Sequence, residues 1–224
     1  SEKLKNMQPT KRTKVKRVPV RGQYDLESIY SILDDHFLCH VGFVHDDHPV
    51  VIPTLYGRHK NRLYIHGATT SRLLKSLQEG IEISLAVTHV DGLVLARSAF
   101  HHSMNYRSVV LFGIAELVTD PEEKLIGLKA VSDQIITGRW EEVRQPNPKE
   151  LKATTVLSIP IIEASAKVRT GPPVDDKEDY ELNIWAGEVP IKMNPQQPVP
   201  DPLLKEGISQ NNSVSKYIQR NKPQ

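Results

Sequence analysis

Between Leu63 and Gly80 the chain reads LYIHGATTSRLLKSLQEG, and its middle concentrates groups able to hold an anion. Thr69, Thr70 and Ser71 carry hydroxyls, Arg72 carries a guanidinium, and His66 stands just before Gly67. Leu63 and Ile65 alternate with Tyr64 and His66, the period of a strand, whereas Leu73, Leu74 and Leu77 recur at helical spacing up to Gly80. The segment is expected to turn from strand into helix at the hydroxyls. The first N–H groups of a helix lack internal partners and its dipole makes that end positive, so an anion can sit there. Hydroxyls and a guanidinium are the donors a phosphate accepts. The same residues also describe an ordinary capped surface helix with a solvated arginine, because Ser and Thr are common caps.

Other chemistry-bearing residues are scattered. His101 and His102 are adjacent, so on a strand they face opposite ways and cannot easily share a metal, and no zinc-type spacing surrounds them. No metal site is expected. His45 and His48 flank a turn. Cys39 lies in an apolar segment and reads as a buried, inert thiol. In SAKVRTGPPVDDKED, Lys167 and Arg169 either reach a neighbour's phosphate or pair with Asp175 and Asp176. No strand is followed by GxGxxG, so a nicotinamide cofactor would bind transiently rather than on a Rossmann domain.

These groups need a scaffold, and the pattern supplies one. DLESIYSILDDH reads as a helix capped by Asp25, with Leu26, Ile29, Ile32 and Leu33 on one face. Strand segments follow at 37–44, 48–57, 62–66, 81–90, 92–100, 107–118 and 154–168. Asp46-Asp47 and Lys60-Asn61 mark hairpin turns, and Gly113 a bulge or bend. Residues 120–136 form a second convincing helix, with Asp120 at the cap, Pro121 first and acids in the opening turn. Many short strands with a few helices predict a mainly β, α+β fold around a closed or nearly closed sheet.

Composition sets further bounds. The 224 residues carry a net charge of +2, but residues 1–21 hold eight Lys or Arg against Glu2 alone, which leaves the remainder at −5. A mildly acidic body does not suggest a dedicated nucleic-acid binder. The basic arm, 1–21, is expected to be flexible or draped on the surface. It is followed by a body over 22–190 and a proline-rich tail over 191–224 that reads as extended or partly disordered. The arm lacks the apolar stretch of a signal peptide. No apolar run approaches the roughly 20 residues of a membrane span. With Cys39 the only cysteine, the chain is expected in a reducing, cytoplasmic compartment.

VVIPTLYG, LYIHGATTSRLLKSL, THVDGLVLARSAFHHSMNYRSVVLFG, SAKVRTGPPVDDKEDY and WAG occur in this order. Together they resemble the pyridoxamine 5′-phosphate oxidase-like flavoproteins, in the branch related to nitroimidazole-resistance proteins, over roughly residues 12–192. The resemblance implies a split β-barrel that forms a homodimer and binds FMN at the dimer interface. It assigns the FMN phosphate to His66, Gly67, Ala68, Thr69, Ser71 and Arg72. Val51, Ile52, Pro53 and Thr54 fall on the strand that runs beside the flavin in the family, and Tyr64 and Ile65 on the strand leading into the phosphate loop. Ser98, Ser103, Asn105, Arg107 and Ser108, with His101, His102 and Tyr106, fall near the flavin or the dimer seam. Trp185 falls at a late aromatic position that could close over the cofactor.

A true pyridoxamine phosphate oxidase carries a basic residue on the strand occupied here by VVIPTLYG and a late Arg-Leu-His-Asp-Arg segment. Neither is present. The expectation is therefore an FMN-dependent oxidoreductase of another specificity, moving electrons or hydride between small molecules, with His66 as the candidate catalytic residue. Two alternatives stay open: a flavin-binding protein without turnover, and a haem-binding split-barrel protein in which a histidine ligates iron.

Overall fold

The structure is a computed structural model describing residues 6–221. After a short 3-10 turn at Pro19–Arg21 come β1 (Gly22–Gln23), α1 (Leu26–Asp34), β2 (Leu38–His45), β3 (His48–Leu55), β4 (Gly57–His59), β5 (Arg62–Ala68) and α2 (Arg72–Gln78). Next are β6 (Glu82–Leu95), β7 (Ser103–Ile114), β8 (Glu116–Leu117), α3 (Pro121–Ile135), α4 (Pro148–Ala153), β9 (Thr154–Pro160), β10 (Ala164–Arg169), β11 (Gly187–Pro190) and α5 (Asn212–Arg220). All strand pairings are antiparallel. The larger sheet runs β1-β10-β7-β6-β2-β3, with β11 added alongside β6, and the smaller runs β4-β5-β9-β8. This is the mainly β split barrel with flanking helices that the sequence predicts.

One apolar core joins the two sheets. Val41, Leu85, Val87, Val109 and Leu111 from the larger sheet meet Leu63, Ile65, Leu157 and Ile159 from the smaller. Ile29, Ile32 and Leu33 of α1 and Leu73, Leu74 and Leu77 of α2 close it. A second cluster packs Tyr64 and Val156 under Ala130 and Val131 of α3. The approach there is tight: a Cβ on Gly57 would lie 2.2 Å from the Ala130 backbone, so only glycine lets α3 lie on β4.

Capping follows the sequence. Asp25 accepts from the Ser28 N–H at 2.7 Å, and Asp120 accepts from the Glu122 and Glu123 N–H groups ahead of Pro121. Asp46, Asp47 and Lys60 adopt positive φ at the two expected hairpin turns.

Several expectations are corrected. The segments at 81–90 and 92–100 are one strand, β6, and the irregularity falls between Val90 and Gly92 rather than at Gly113, which stays in register opposite Ile83. Gly92 is needed where β11 crosses, since a Cβ there would meet the Val189 carbonyl at 3.0 Å. The stretch 154–168 is two strands in different sheets. The tail does not stay extended: α5 forms near its end and docks through Ser213, whose N–H donates to Glu142 at 2.9 Å. Lys3, Lys5 and Glu2 of the arm and residues 222–224 of the tail lie outside the described residues. Among those described, no helix is long and apolar enough to cross a membrane.

Candidate cofactor site

The strand-to-helix corner forms where expected. β5 ends at Ala68, Thr69 donates its N–H to the Ala153 carbonyl at 3.2 Å, and Ser71 donates to Ala68 at 2.9 Å. Ser71 occupies the cap position of α2 in an extended conformation, yet its hydroxyl makes no capping bond. Thr69, Thr70 and Arg72 are exposed. The corner thus presents three hydroxyls and a guanidinium that the surrounding chain leaves open. Gly67 has a packing role, because a Cβ there would come within 2.9 Å of Leu74 and push α2 off the sheet.

His66 is the unsatisfied group behind the corner. Its Nδ1 is buried without a hydrogen-bond partner among the described residues. Burial lowers its pKa, so the ring is neutral near pH 7. A buried polar atom without a partner is costly unless a ligand or water supplies one. The neighbouring side chains are not available: Ile65 is in the main core, and Tyr64 is buried beneath α3 with its hydroxyl 3.2 Å from Glu123. Tyr64 and Ile65 can offer a ligand only their backbone.

Val51, Ile52, Pro53 and Thr54 lie on β3, the edge of the larger sheet, which also touches β5. Pro49 and Pro53 suit an edge, where a missing N–H breaks no ladder. Val51 is 67% exposed, a large value for valine on a sheet.

Three of the remaining candidates, Arg107, Asn105 and Ser98, are held in separate polar networks. Arg107 donates through Nε and Nη2 to Asp91, both at 2.9 Å, and through Nη1 to Asp35 at 2.7 Å, which joins β6, β7 and α1. These carboxylates raise the Arg107 pKa further. Asn105 is buried, donates to Glu188 at 2.6 Å and accepts from Arg169. Arg169 also donates to the Gly171 and Pro172 carbonyls. Ser98 donates its N–H to Asp175 at 3.2 Å. Burial alone would raise the Asp175 carboxyl, but N–H bonds from Arg97 and Ser98 and the Arg97 guanidinium hold it below its usual range.

Asp175 therefore anchors the loop after β6, and neither Lys167 nor Arg169 pairs with it. Sequence reasoning missed this anchor because its partners lie 77 and 78 residues away. Ser103 is exposed at the start of β7, and Ser108 lies near its middle with its hydroxyl 3.3 Å from the Lys167 carbonyl. Trp185 is 67% exposed and rests on Gly187. His102 contacts the Ala96 carbonyl at 3.2 Å, and His101 lies 3.3 Å from Asp176. Cys39 is fully buried, and burial pushes its thiol up to about 12, which leaves it inert as a nucleophile.

Residues 25–168 match the family described as pyridoxamine 5′-phosphate oxidase. The chain belongs to this family. Over 94% of its length, and over 98% of the other chain, it is similar to the flavocytochrome Anf3 from Azotobacter vinelandii, with 43% identity and a TM-score of 0.88. It is also similar to the FAD and haem binding protein from Mycobacterium smegmatis, with 37% identity and a TM-score of 0.84, over 88% of this chain and 97% of that one. A candidate 5-nitroimidazole antibiotic resistance protein from Bacteroides thetaiotaomicron shares the fold at 22% identity and a TM-score of 0.55, over 64% of this chain and 84% of that one. No curated protein matches the chain.

Within the described residues, the corner at His66–Arg72 stands out because its donors are open, while Arg107, Asn105 and Ser98 are satisfied within the chain.

Proposed function

We propose that this family member is a flavin-binding redox protein that also carries haem. The observation that carries the reading is the open polar corner: three hydroxyls and a guanidinium between Thr69 and Arg72 that make no side-chain bond to the described residues. Such a cluster supplies the donors that a bound anion accepts. Thr69, Ser71 and Arg72 would hold a flavin phosphate, and the exposed edge of β3 at Val51–Thr54 would lie beside the ring. The likeness to a flavocytochrome and to an FAD and haem binding protein supports both groups in one chain.

The residues also fit haem. A neutral imidazole with a free ring nitrogen is the donor that haem iron takes, and His66 offers one. When bound, the flavin would supply two-electron chemistry and the haem one-electron chemistry. The protein would hold the phosphate, orient the ring along β3 and keep His66 unprotonated. Vitamin B6 oxidation is not part of the proposal, because VVIPTLYG lacks the basic residue, and the chain the late Arg-Leu-His-Asp-Arg segment, of a true pyridoxamine phosphate oxidase.

We place the protein in a homodimer. The outer face of the larger sheet exposes Val51 and Leu55, and a second copy would cover these groups and the β3 edge. The physiological partner would be a small electron donor or acceptor.

The visible spectrum of the purified protein, before and after addition of a reduced nicotinamide cofactor, tests the reading. Flavin absorption together with a Soret band, both changing on reduction, is the expected result. A colourless protein that takes up neither group when supplied with it would overturn it.

A further inference from the structure

The basic arm is fastened to the body at many points. The Met7 N–H donates to the Tyr24 carbonyl at 2.8 Å, and the Val15 N–H donates to the Tyr24 hydroxyl at 2.8 Å. Thr13 is 3% exposed and bonds back to Thr10. The Arg12 guanidinium joins Glu82 and Glu163 and lies 4.9 Å from the centre of the Phe112 ring. Val15 fills the space beside Gly22, where a Cβ would meet it at 3.0 Å. Ordering a chain segment costs about 1–2 kcal/mol per residue, so a basic arm pinned this closely is not simply a solvated charge run.

Pinning the arm forms a cleft of about 230 Å³ against the outer face of β7 and β10. Lys14, Lys16 and Arg17 line it from the arm, and Ser108, Ser165 and Lys167 from the sheet. Arg12 is the one lining cation with carboxylate partners. Among the described residues no carboxylate lies within salt-bridge distance of Lys14, Lys16, Arg17 or Lys167. Four unpaired cations facing one small cavity repel each other unless an anion joins them. The cavity has room for roughly seven or eight water volumes. That suits a diphosphate head and is too small for a whole dinucleotide, since sites for ligands of that size run from about 300 Å³ upward.

We propose that this cleft binds a diphosphate group. The diphosphate is that of a free nucleoside diphosphate, because the flavin reading above already seats the flavin's own phosphate at Thr69, Ser71 and Arg72. Lysines and Arg17 neutralise the charge, and the Ser165 hydroxyl donates to the bridging region.

The test uses the full-length protein and its Lys14→Gln/Lys167→Gln variant, with Lys14→Arg/Lys167→Arg as a charge-keeping control. Binding of inorganic diphosphate, ADP, FAD and FMN is measured by calorimetry. Both substitutions are at solvent-facing positions of the cleft, and circular dichroism checks that the fold is kept. Removing two charge-assisted contacts should weaken ADP and diphosphate by about tenfold or more, with the arginine control near wild type.

Loss of FAD together with ADP, while FMN holds, makes the cleft part of the cofactor site and overturns a free-nucleotide site. Loss of ADP with FAD unchanged assigns the cleft to a free nucleotide. Failure of the protein to bind any flavin would sink the reading of the corner but leave the ADP result to decide the cleft. Wild-type protein that binds neither ADP nor diphosphate, with FAD affinity unmoved by the variant, overturns the proposal.

Discussion

Arg72 and Arg107 were indistinguishable as candidates, and the structure separates them. Arg107 forks onto Asp91, reaches Asp35 and locks two strands to α1. Arg72 stands exposed at the start of α2 beside a serine that caps nothing. Both guanidiniums could bind a phosphate, but one already has its anions. The lesson is that a donor's residue type reports what it can bind, and only its surroundings report whether it is free to do so. The contrast predicts opposite phenotypes for the two arginines.

The largest effect should come from Arg72→Ala. Losing an open, charge-assisted phosphate contact should weaken a flavin nucleotide by about one to two orders of magnitude, roughly 1.5–3 kcal/mol. Riboflavin, which lacks the phosphate, should bind as before, and the melting temperature of the flavin-free protein should not move. Fluorescence titration with FMN, FAD and riboflavin measures this. Equal losses for all three would place Arg72 in the fold rather than the site, and no loss would return it to the solvent.

Arg107→Ala should show the reverse pattern. It strands two carboxylates that now share one guanidinium, and the side chain is 31% exposed, so water recovers part of the loss. A destabilisation of about 1–2 kcal/mol in urea unfolding is expected. The ratio of FMN to riboflavin affinity should stay constant. A selective loss of the nucleotide would erase the distinction between the two arginines.

His66 sharpens the comparison through pH. Its folded pKa is lowered by burial, so the unfolded chain takes up a proton first on acidification. The corresponding stability is fully present above the unfolded value near 6.5. It is lost as the pH falls from there through the folded value, by at most about 1.4 kcal/mol per pH unit. Other histidines titrate too, and His36 is likewise lowered, mainly by burial and then by His89. The informative quantity is therefore the difference between wild type and His66→Gln. The wild type should lose more stability between pH 7 and pH 5.5, and parallel curves would show that His66 is already protonated or solvated in the fold.

What was legible divides along the same line. Asp25, Asp120 with Pro121, and the hairpin turns at Asp46-Asp47 and Lys60-Asn61 were readable because their determinants are local. Ordered motifs placed the family and the split barrel. The union of 81–90 and 92–100 into β6 was not readable, because Gly92 acts by admitting β11 from a hundred residues on. Nor was the condition of the donors: Arg107, Asn105 and Arg169 lose their freedom to partners remote in sequence, and Lys167 meets Lys14 only when the arm folds over β10. Residue types at the candidate site were visible in the chain, and their satisfaction was a property of the fold.

The smallest predicted effect tests that statement at a single hydroxyl. Ser71 and Asp120 occupy equivalent positions, each the cap residue of a helix in an extended conformation. Asp120 accepts from two backbone N–H groups, and replacing it with alanine should cost about 1 kcal/mol of stability. Ser71 accepts from none in the cap, so Ser71→Ala should change the stability of the flavin-free protein by no more than a few tenths of a kcal/mol, despite the identical position. If the hydroxyl is held open for a ligand, the same substitution should still weaken FMN measurably while sparing riboflavin. Paired urea curves and flavin titrations on the two variants decide the matter. A Ser71→Ala protein as destabilised as Asp120→Ala would mean that Ser71 caps α2 in solution, and the corner would then hold one donor fewer for a phosphate.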